Sequence, residues 1–274
     1  MRTWNRRKTM VFWTVFSLVL LIAVAVAGSL CSEAARTTDF SRKNLMPCLQ
    51  YPFGTDWMGR DMFARTLKGL SLSILIGTLA AVISACIALL LGIGAATLGK
   101  RADGVITWII DLIMGIPHML LLILICVAAG RGLKGVIIGV AFTHWTSLAR
   151  LIRAEVLQLK ESPYIRIAEK LGKSRWYIAK NHMMPHLVPQ FVVGLVLMFP
   201  HAILHESSIT FLGFGLTSEQ PAIGIILAES MQYLVLGKWW LALFPGLALI
   251  LVVVLFYLLG ENLRRLIDPG SAHE

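Results

Sequence analysis

Two histidines and a glutamate lie close together near the end of an apolar segment. His201 and His205 are four residues apart, and Glu206 follows directly. A spacing of four places both imidazoles on one face of an α-helix, and imidazole and carboxylate groups are ligands that Ni²⁺ and Zn²⁺ accept. The pair is a candidate metal site only if a further ligand comes from another segment. Otherwise the two histidines cap a helix or form hydrogen bonds within a helix bundle.

Asp111 is an acid inside another apolar segment, where burying a charge costs several kcal/mol. A proton or ion path through Asp111 and the intramembrane histidines would suit an ATP-independent secondary transporter or a channel. We favour the alternative that Asp111 lies at the inner membrane interface and bonds to a neighbouring helix. His118 and His144 also fall in apolar segments, where we expect packing or hydrogen-bonding roles. Asp111 and Glu206 are the candidate pathway or gate residues.

The chain carries no recognisable catalytic motif. Gly172, Lys173 and Ser174 match the end of a phosphate-binding loop, but the first glycine of that motif would fall at Ile167 and no strand is predicted before it. Neither an HExxH metalloprotease motif nor a nucleophile elbow is present. We therefore predict a non-enzymatic chain without a cofactor of its own. If ATP drives its function, a separate subunit must bind ATP and magnesium.

The composition indicates a membrane protein. Of 274 residues, 57% are apolar and 15% are charged, whereas soluble domains average about 45–50% and 25%. A helix that crosses the hydrocarbon core needs roughly 20 apolar residues, and the chain has six candidate spans, at 11–28, 71–98, 104–130, 135–149, 187–205 and 239–260. We predict an all-α membrane protein with six transmembrane helices. The fourth span contains several polar residues, which predicts burial against other helices.

The basic residues predict the orientation of these spans. With the N-terminus inside, 16 of the 25 Lys and Arg residues lie on the cytoplasmic side, where positive loops are retained. Both termini are then cytoplasmic. The first span also resembles a signal peptide, because basic residues precede it and small residues follow it, but the remaining spans favour an uncleaved anchor. The net charge of +10 reflects this orientation, and no basic patch interleaved with aromatic residues indicates nucleic-acid binding.

The four cysteines give no strong functional signal. Cys86 and Cys126 fall within spans and are expected to pack as small apolar residues. Cys31 and Cys48 fall in the first outer loop, where an oxidising compartment would permit a disulfide. Spacing alone cannot show that the two side chains meet, so a disulfide and two free thiols both stay open, with free thiols favoured.

A charged segment, Glu161–Gln190, interrupts the apolar sequence. Ser162 is a suitable N-cap and Pro163 suits the first helical position. Gly172 can adopt the left-handed conformation that ends a helix. The pattern predicts a short helix, a turn and a second helix, which the prolines at 185 and 189 separate from the fifth span.

The short helix is predicted to be amphipathic. Ile165, Ala168 and Leu171 recur at helical spacing, and nothing in the same loop is large enough to cover them. Either another protein binds this apolar stripe or the helix lies on the lipid headgroups.

The charged segment resembles the cytoplasmic signature loop of permease subunits in binding-protein-dependent ABC importers. Ala168 matches the second alanine of the signature, Gly172 its glycine, and His182–Pro185 its later hydrophobic-proline element. Arg166 and Ile167 replace the usual Glu and Ala. In that family the signature helix docks into a separate ATPase, and the residues expected to form the coupling loop here are Ser162, Pro163, Ile165, Ala168, Glu169, Leu171, Gly172 and Pro185.

Further segments are similar to the dipeptide, oligopeptide and nickel branch of this family. They are "FGTDWMGRDMFAR" (Phe53–Arg65), the Asp103, Asp111 and Pro117 pattern, "ESSITFLGFG" (Glu206–Gly215), and the ending "WWLALFPG" with "LGENLRRLIDP". The resemblance implies a type I ABC importer permease fold in the bacterial inner membrane. It also implies nickel, metal chelate or small peptide as cargo, a second homologous permease subunit, two ATPases and an extracytoplasmic solute-binding protein.

These features divide the chain into three predicted parts. Residues 1–70 form an anchor helix and an extracytoplasmic loop, and residues 71–268 form the permease domain with the coupling loop at about 155–190. Residues 269–274 form a cytoplasmic tail.

Overall fold

Long helices dominate the computed structural model, which describes residues 6–217 and 219–267. Five of its helices are long and apolar enough to cross a membrane, or six if one bent helix pair counts as a single span. The all-α membrane fold is therefore confirmed. The α-helices of the described residues are α1 (Arg6–Leu30), α2 (Met62–Thr97), α3 (Lys100–Gly115), α4 (His118–Ala128), α5 (Gly132–Lys160), α6 (Pro163–Lys170), α7 (Arg175–Ile178), α8 (Met184–Phe211), α9 (Ile223–Leu234) and α10 (Trp240–Ile267).

The predicted third span is two helices. We expected one segment over 104–130, but the chain bends by 100° between α3 and α4. Ile116 at the break is extended, with φ −89° and ψ 137°, the conformation that a following proline favours. Pro117 also lacks the N–H that a continuous helix would need. The expectation of an unbroken third span was wrong, and the bend places His118 at the start of a new helix.

The prolines after the charged segment do not interrupt the helix. We expected Pro185 and Pro189 to separate the second helix of the segment from the fifth span, but the chain is helical without a break over Trp176–Phe211. A π-helical turn, Ala179–Met183, precedes Pro185, and such a turn changes the local backbone hydrogen-bond pattern. Pro185 is the second residue of α8 and closely follows this turn, whose altered hydrogen-bond pattern accommodates the missing N–H.

Helix α5 is the most buried of the five candidate spans, as its polar composition predicted. It packs along α2, which has a row of small residues on its buried face. A Cβ atom added at Gly92 would lie 2.8 Å from the carbonyl oxygen of Ala149. The helices approach this closely because Gly92 has no side chain, as is common where membrane helices cross.

Two further elements differ from the sequence expectation. Helix α2 begins at Met62, nine residues before the predicted start of the second span, and the Asp61 side chain caps it by accepting a hydrogen bond from the amide of Phe63 at 2.8 Å. Helix α9 was not predicted. It packs closely on α8, since a Cβ atom at Gly224 would lie 2.4 Å from the carbonyl oxygen of Ser207. The predicted tail at 269–274 lies outside the described residues.

Candidate functional site

The short helix predicted in the charged segment is α6, with the predicted ends. Ser162 occupies the N-cap position, and its carbonyl oxygen accepts a hydrogen bond from the amide of Arg166 at 3.2 Å. Gly172 has φ +75°, and its amide donates to the carbonyl oxygen of Glu169 at 2.9 Å. Only a residue that tolerates this left-handed conformation ends the helix without strain.

Other helices of the same chain cover part of the predicted apolar stripe of α6. Ile165 and Ala168 are 0% and 7% exposed and belong to the same apolar core as α5 and α8. Only Leu171 of the stripe is exposed, at 72%, so the expectation of an uncovered stripe was wrong for the other two residues. The large apolar side chains exposed on α6 and on the residues that follow it, through α7, are Tyr164, Ile167, Leu171, Trp176 and Tyr177.

Three histidines from three helices meet between α4, α5 and α8. His118 begins α4, His144 lies within α5, and His205 lies within α8. Their ring centroids are 4.5 to 4.9 Å apart, and one potential ligand atom from each lies within 4.8 Å of the other two. We call these three residues the histidine cluster. Sequence reasoning missed it, because the members lie in separate predicted spans and no local spacing links them.

The histidine cluster borders a cavity of about 610 Å³ that His201 and Met198 also line. The Nε2 atoms of His118 and His144 are buried and have no hydrogen-bond partner among the described residues. The Nδ1 atom of His144 lies 2.9 Å from the carbonyl oxygen of Val140. Since a carbonyl oxygen only accepts, Nδ1 must carry the hydrogen in this bond. The neutral His144 side chain then presents the lone pair of Nε2 to the cluster.

Glu206 does not join the histidines, although it follows His205 in sequence. It is fully buried, and its carboxyl oxygens accept hydrogen bonds from Ser207 at 3.2 Å and Thr210 at 3.1 Å. His201 is exposed along the cavity wall, outside the group of three. The structure therefore keeps Glu206 apart from the histidines, whereas His201 and His205 line the same cavity.

Asp111 is paired with a neighbouring helix, as we favoured. The guanidinium of Arg150 on α5 donates to its carboxylate at 2.7 Å, and both side chains are more than half exposed. Asp111 does not line the cavity beside the histidine cluster. A second ion pair between the same two helices joins Arg153 and Asp103, at 2.7 Å.

A second polar cluster joins the Phe53–Arg65 segment to α9. Asp56 lies 2.6 Å from both Arg60 and Arg65, and Glu229 lies 2.9 Å from Arg65. The side chains of Arg65 and Asp56 are only 3% and 5% exposed. We call Asp56, Arg60, Arg65 and Glu229 the ion cluster. The sequence pattern of this segment was noted, but its partner on α9 was not predicted. Cys31 and Cys48, in the loop that precedes the segment, are free thiols.

The sequence is similar to that of membrane transport subunits. A family described as "Binding-protein-dependent transport system inner membrane component" matches residues 88–273. The dipeptide transport system permease protein DppC of Bacillus subtilis is 32% identical over 256 residues, 93% of this chain and 80% of that protein. The probable D,D-dipeptide transport system permease protein DdpC of Escherichia coli is 32% identical over 257 residues, 94% of this chain and 86% of that protein.

A solved structure has the same fold. An inward-facing form of the MetNI methionine ABC transporter gives a TM-score of 0.62 at 16% identity and covers 76% of this chain and 98% of that one. The chain therefore belongs to the family of binding-protein-dependent transport system inner membrane components. It is a multi-pass inner membrane protein with the type I ABC importer permease fold, and it is a non-catalytic transport component. This membership does not favour an ATP-independent transporter or channel.

Proposed function

We propose that the chain is one of two permease subunits of an ATP-driven importer of small peptides, coupled to a separate ATPase through residues 162–185. The names of the relatives support peptide as cargo, since they are dipeptide permeases. The family supports a second permease subunit and ATPase subunits as partners. An extracytoplasmic binding protein would deliver the cargo near the segment from Glu206 to Gly224.

The observation that carries the coupling proposal is the two-sided character of α6. Its buried side, with Ile165 and Ala168, is fixed in the core of the chain. Its other side exposes Ile167 and Leu171 at 58% and 72%. A helix that is anchored on one face and apolar on the other suits insertion into a groove of a partner protein.

The connections of α6 indicate how motion of an ATPase would reach the pathway. Helix α5 ends at Lys160, just before α6, and α7 continues without a break into α8. Closure of the ATPases on ATP would move α6 as a rigid body and tilt α5 and α8 with it. These two helices carry His144 and His205 along the cavity, so the motion would exchange an inward-open for an outward-open pathway.

The histidine cluster favours a second cargo class, nickel or a metal chelate. Imidazole is a ligand that nickel accepts, and two of the three rings have a buried nitrogen without a hydrogen-bond partner. Small peptides also bind such ions through their amine and amide nitrogens. A peptide that carries a bound metal ion would therefore belong to both cargo classes.

Substituting aspartate for the exposed apolar residues of α6 tests the coupling. Ile167→Asp and Leu171→Asp should abolish ATP-driven uptake of a labelled dipeptide into proteoliposomes that contain the whole transporter and internal ATP. Both side chains are exposed, so the chain should still fold and insert. Val235→Asp is the control, because Val235 is 92% exposed at the end of α9, outside the 162–185 loop. Unchanged uptake in the α6 variants, driven by a proton gradient without ATP, would contradict the proposal.

A further inference from the structure

We propose that the histidine cluster, His118, His144 and His205, binds a divalent first-row transition metal ion such as Ni²⁺ inside the cavity between α4, α5 and α8. A ligand atom from each residue lies within 4.8 Å of the other two. Nitrogen ligands bind such ions at about 2.0–2.1 Å, which in a tetrahedral site separates them by about 3.4 Å. The three rings therefore need to move by only about an ångström to bind one ion.

The hydrogen bonding of His144 already matches that of a metal ligand. Metal-binding histidines almost always donate the N–H of their other ring nitrogen to a carbonyl or carboxylate oxygen, which fixes the tautomer. His144 makes this bond to Val140 at 2.9 Å and has no hydrogen-bond partner for Nε2 among the described residues. The Nε2 atom of His118 is likewise buried and unpaired. A bound ion would satisfy both nitrogens at once, which explains why two unpaired polar atoms occur together in an apolar bundle.

The chemistry of the cluster selects the class of ion. It has three imidazoles and no carboxylate, and the sulfur of Met119 lies 3.2 Å from Nδ1 of His205. Imidazole and thioether ligands suit zinc, copper and nickel, whereas magnesium and calcium require oxygen ligands. Glu206, the nearest acid in sequence, is occupied by Ser207 and Thr210.

The position of the cluster indicates transient binding. Three protein ligands leave a coordination position open, in contrast to the four ligands of a closed structural site. That position faces the cavity of about 610 Å³, which is within the range of small-ligand sites. If the chain is the importer subunit proposed above, the cluster is a point on the pathway for an ion, either as the free aqua ion or carried by a small chelator such as a peptide.

Calorimetric titration of Ni²⁺ into the full-length chain in nanodiscs tests the site without requiring transport. We expect one saturable Ni²⁺ site per chain and no binding of Mg²⁺. His118→Ala, His144→Ala and His205→Ala should each weaken Ni²⁺ binding by at least about 10-fold, the lower bound for changes that only affect residues around the ligands. His186→Ala is the matched control, since His186 is exposed on the first turns of α8, outside the cluster, and should leave the affinity unchanged.

A spectroscopic measurement on the unsubstituted chain guards against variants that fail to fold. Electron paramagnetic resonance of bound Cu²⁺ should show hyperfine splitting from several directly bound nitrogens.

A further titration distinguishes the free aqua ion from an ion carried by a peptide. Saturable binding of Ni²⁺ alone, or of Ni²⁺ plus glycylhistidine, supports the site, and the form that binds more tightly identifies the species that the cluster prefers. The absence of saturable Ni²⁺ binding, Cu²⁺ without nitrogen ligands, or equal loss of affinity in His186→Ala would overturn it. If ATP-driven uptake into proteoliposomes fails while Ni²⁺ still binds to the chain, the proposed transport function is refuted but the metal site is not.

Discussion

The two polar clusters of this chain differ in whether their side chains pair with one another. In the ion cluster every charged side chain has an oppositely charged partner, at distances from 2.6 to 3.5 Å. In the histidine cluster two ring nitrogens are buried without a hydrogen-bond partner among the described residues. Burying polar groups without partners costs free energy. Charge pairing offsets most of that cost in the ion cluster, where one atom, Nε of Arg65, is buried without a hydrogen-bond partner among the described residues, whereas in the histidine cluster the proposed ion would offset it.

The largest effect expected from this comparison is the loss of Arg65. Arg65→Leu removes the cation that contacts both Asp56 and Glu229. Among the described residues it leaves Asp56, which is 5% exposed, with Arg60 as its one remaining cationic partner. Breaking a buried ion pair by removing one partner typically costs about 3–5 kcal/mol. We expect the free energy of unfolding in detergent to fall by that amount, measured by chemical denaturation.

The control for Arg65 is an arginine in an exposed pair. Arg42 lies 3.0 Å from Asp39, and the side chains are 48% and 40% exposed. Exposed pairs contribute about 0–1 kcal/mol, so Arg42→Leu should change the free energy of unfolding by no more than that. Equal destabilisation by the two substitutions would show that burial of the ion cluster does not determine its contribution.

A smaller effect is expected at the histidine cluster, and it should depend on the ion. A ligand that binds only the folded state at 100 times its dissociation constant stabilises by about 2.7 kcal/mol. The free energy of unfolding of the unsubstituted chain should rise by that amount when Ni²⁺ is added at 100 times its dissociation constant. In His144→Ala the increase at the same Ni²⁺ concentration should fall to about 1.4 kcal/mol or less, because loss of one of the three ligands weakens binding at least about 10-fold. A Ni²⁺-dependent gain of the same size in that variant would place the ion elsewhere.

The comparison also shows which features could be read from the sequence. The ends of α6 are set by local backbone preferences, since Pro163 suits the first helical position and Gly172 adopts the left-handed conformation that follows the helix, and the sequence predicted them. The histidine cluster depends on the packing of three helices, and no spacing along the chain encodes it. The sequence showed only part of the ion cluster. Asp56, Arg60 and Arg65 share one segment, whereas Glu229 lies on α9 and was not predicted to join them.

Proline and burial explain the remaining differences. Pro117 and Pro185 both lack an amide hydrogen, yet only Pro117 of the two lies at a break between helices. At Pro185 the preceding π-helical turn accommodates the missing N–H. The apolar stripe of α6 was predicted from periodicity, but periodicity does not say whether a partner or the same chain covers Ile165 and Ala168.

The smallest effect is expected at Asp111, the acid that a proton relay would have used. Its partner Arg150 lies at 2.7 Å, and the side chains are 51% and 61% exposed for Arg150 and Asp111. Asp111→Asn should change the free energy of unfolding by about 1 kcal/mol or less, and the change should shrink further as salt is added. ATP-driven uptake should persist, because the substitution touches neither α6 nor the cavity beside the histidine cluster. Complete loss of uptake with unchanged stability would make Asp111 a participant in transport, which its pairing on the surface of α3 does not explain.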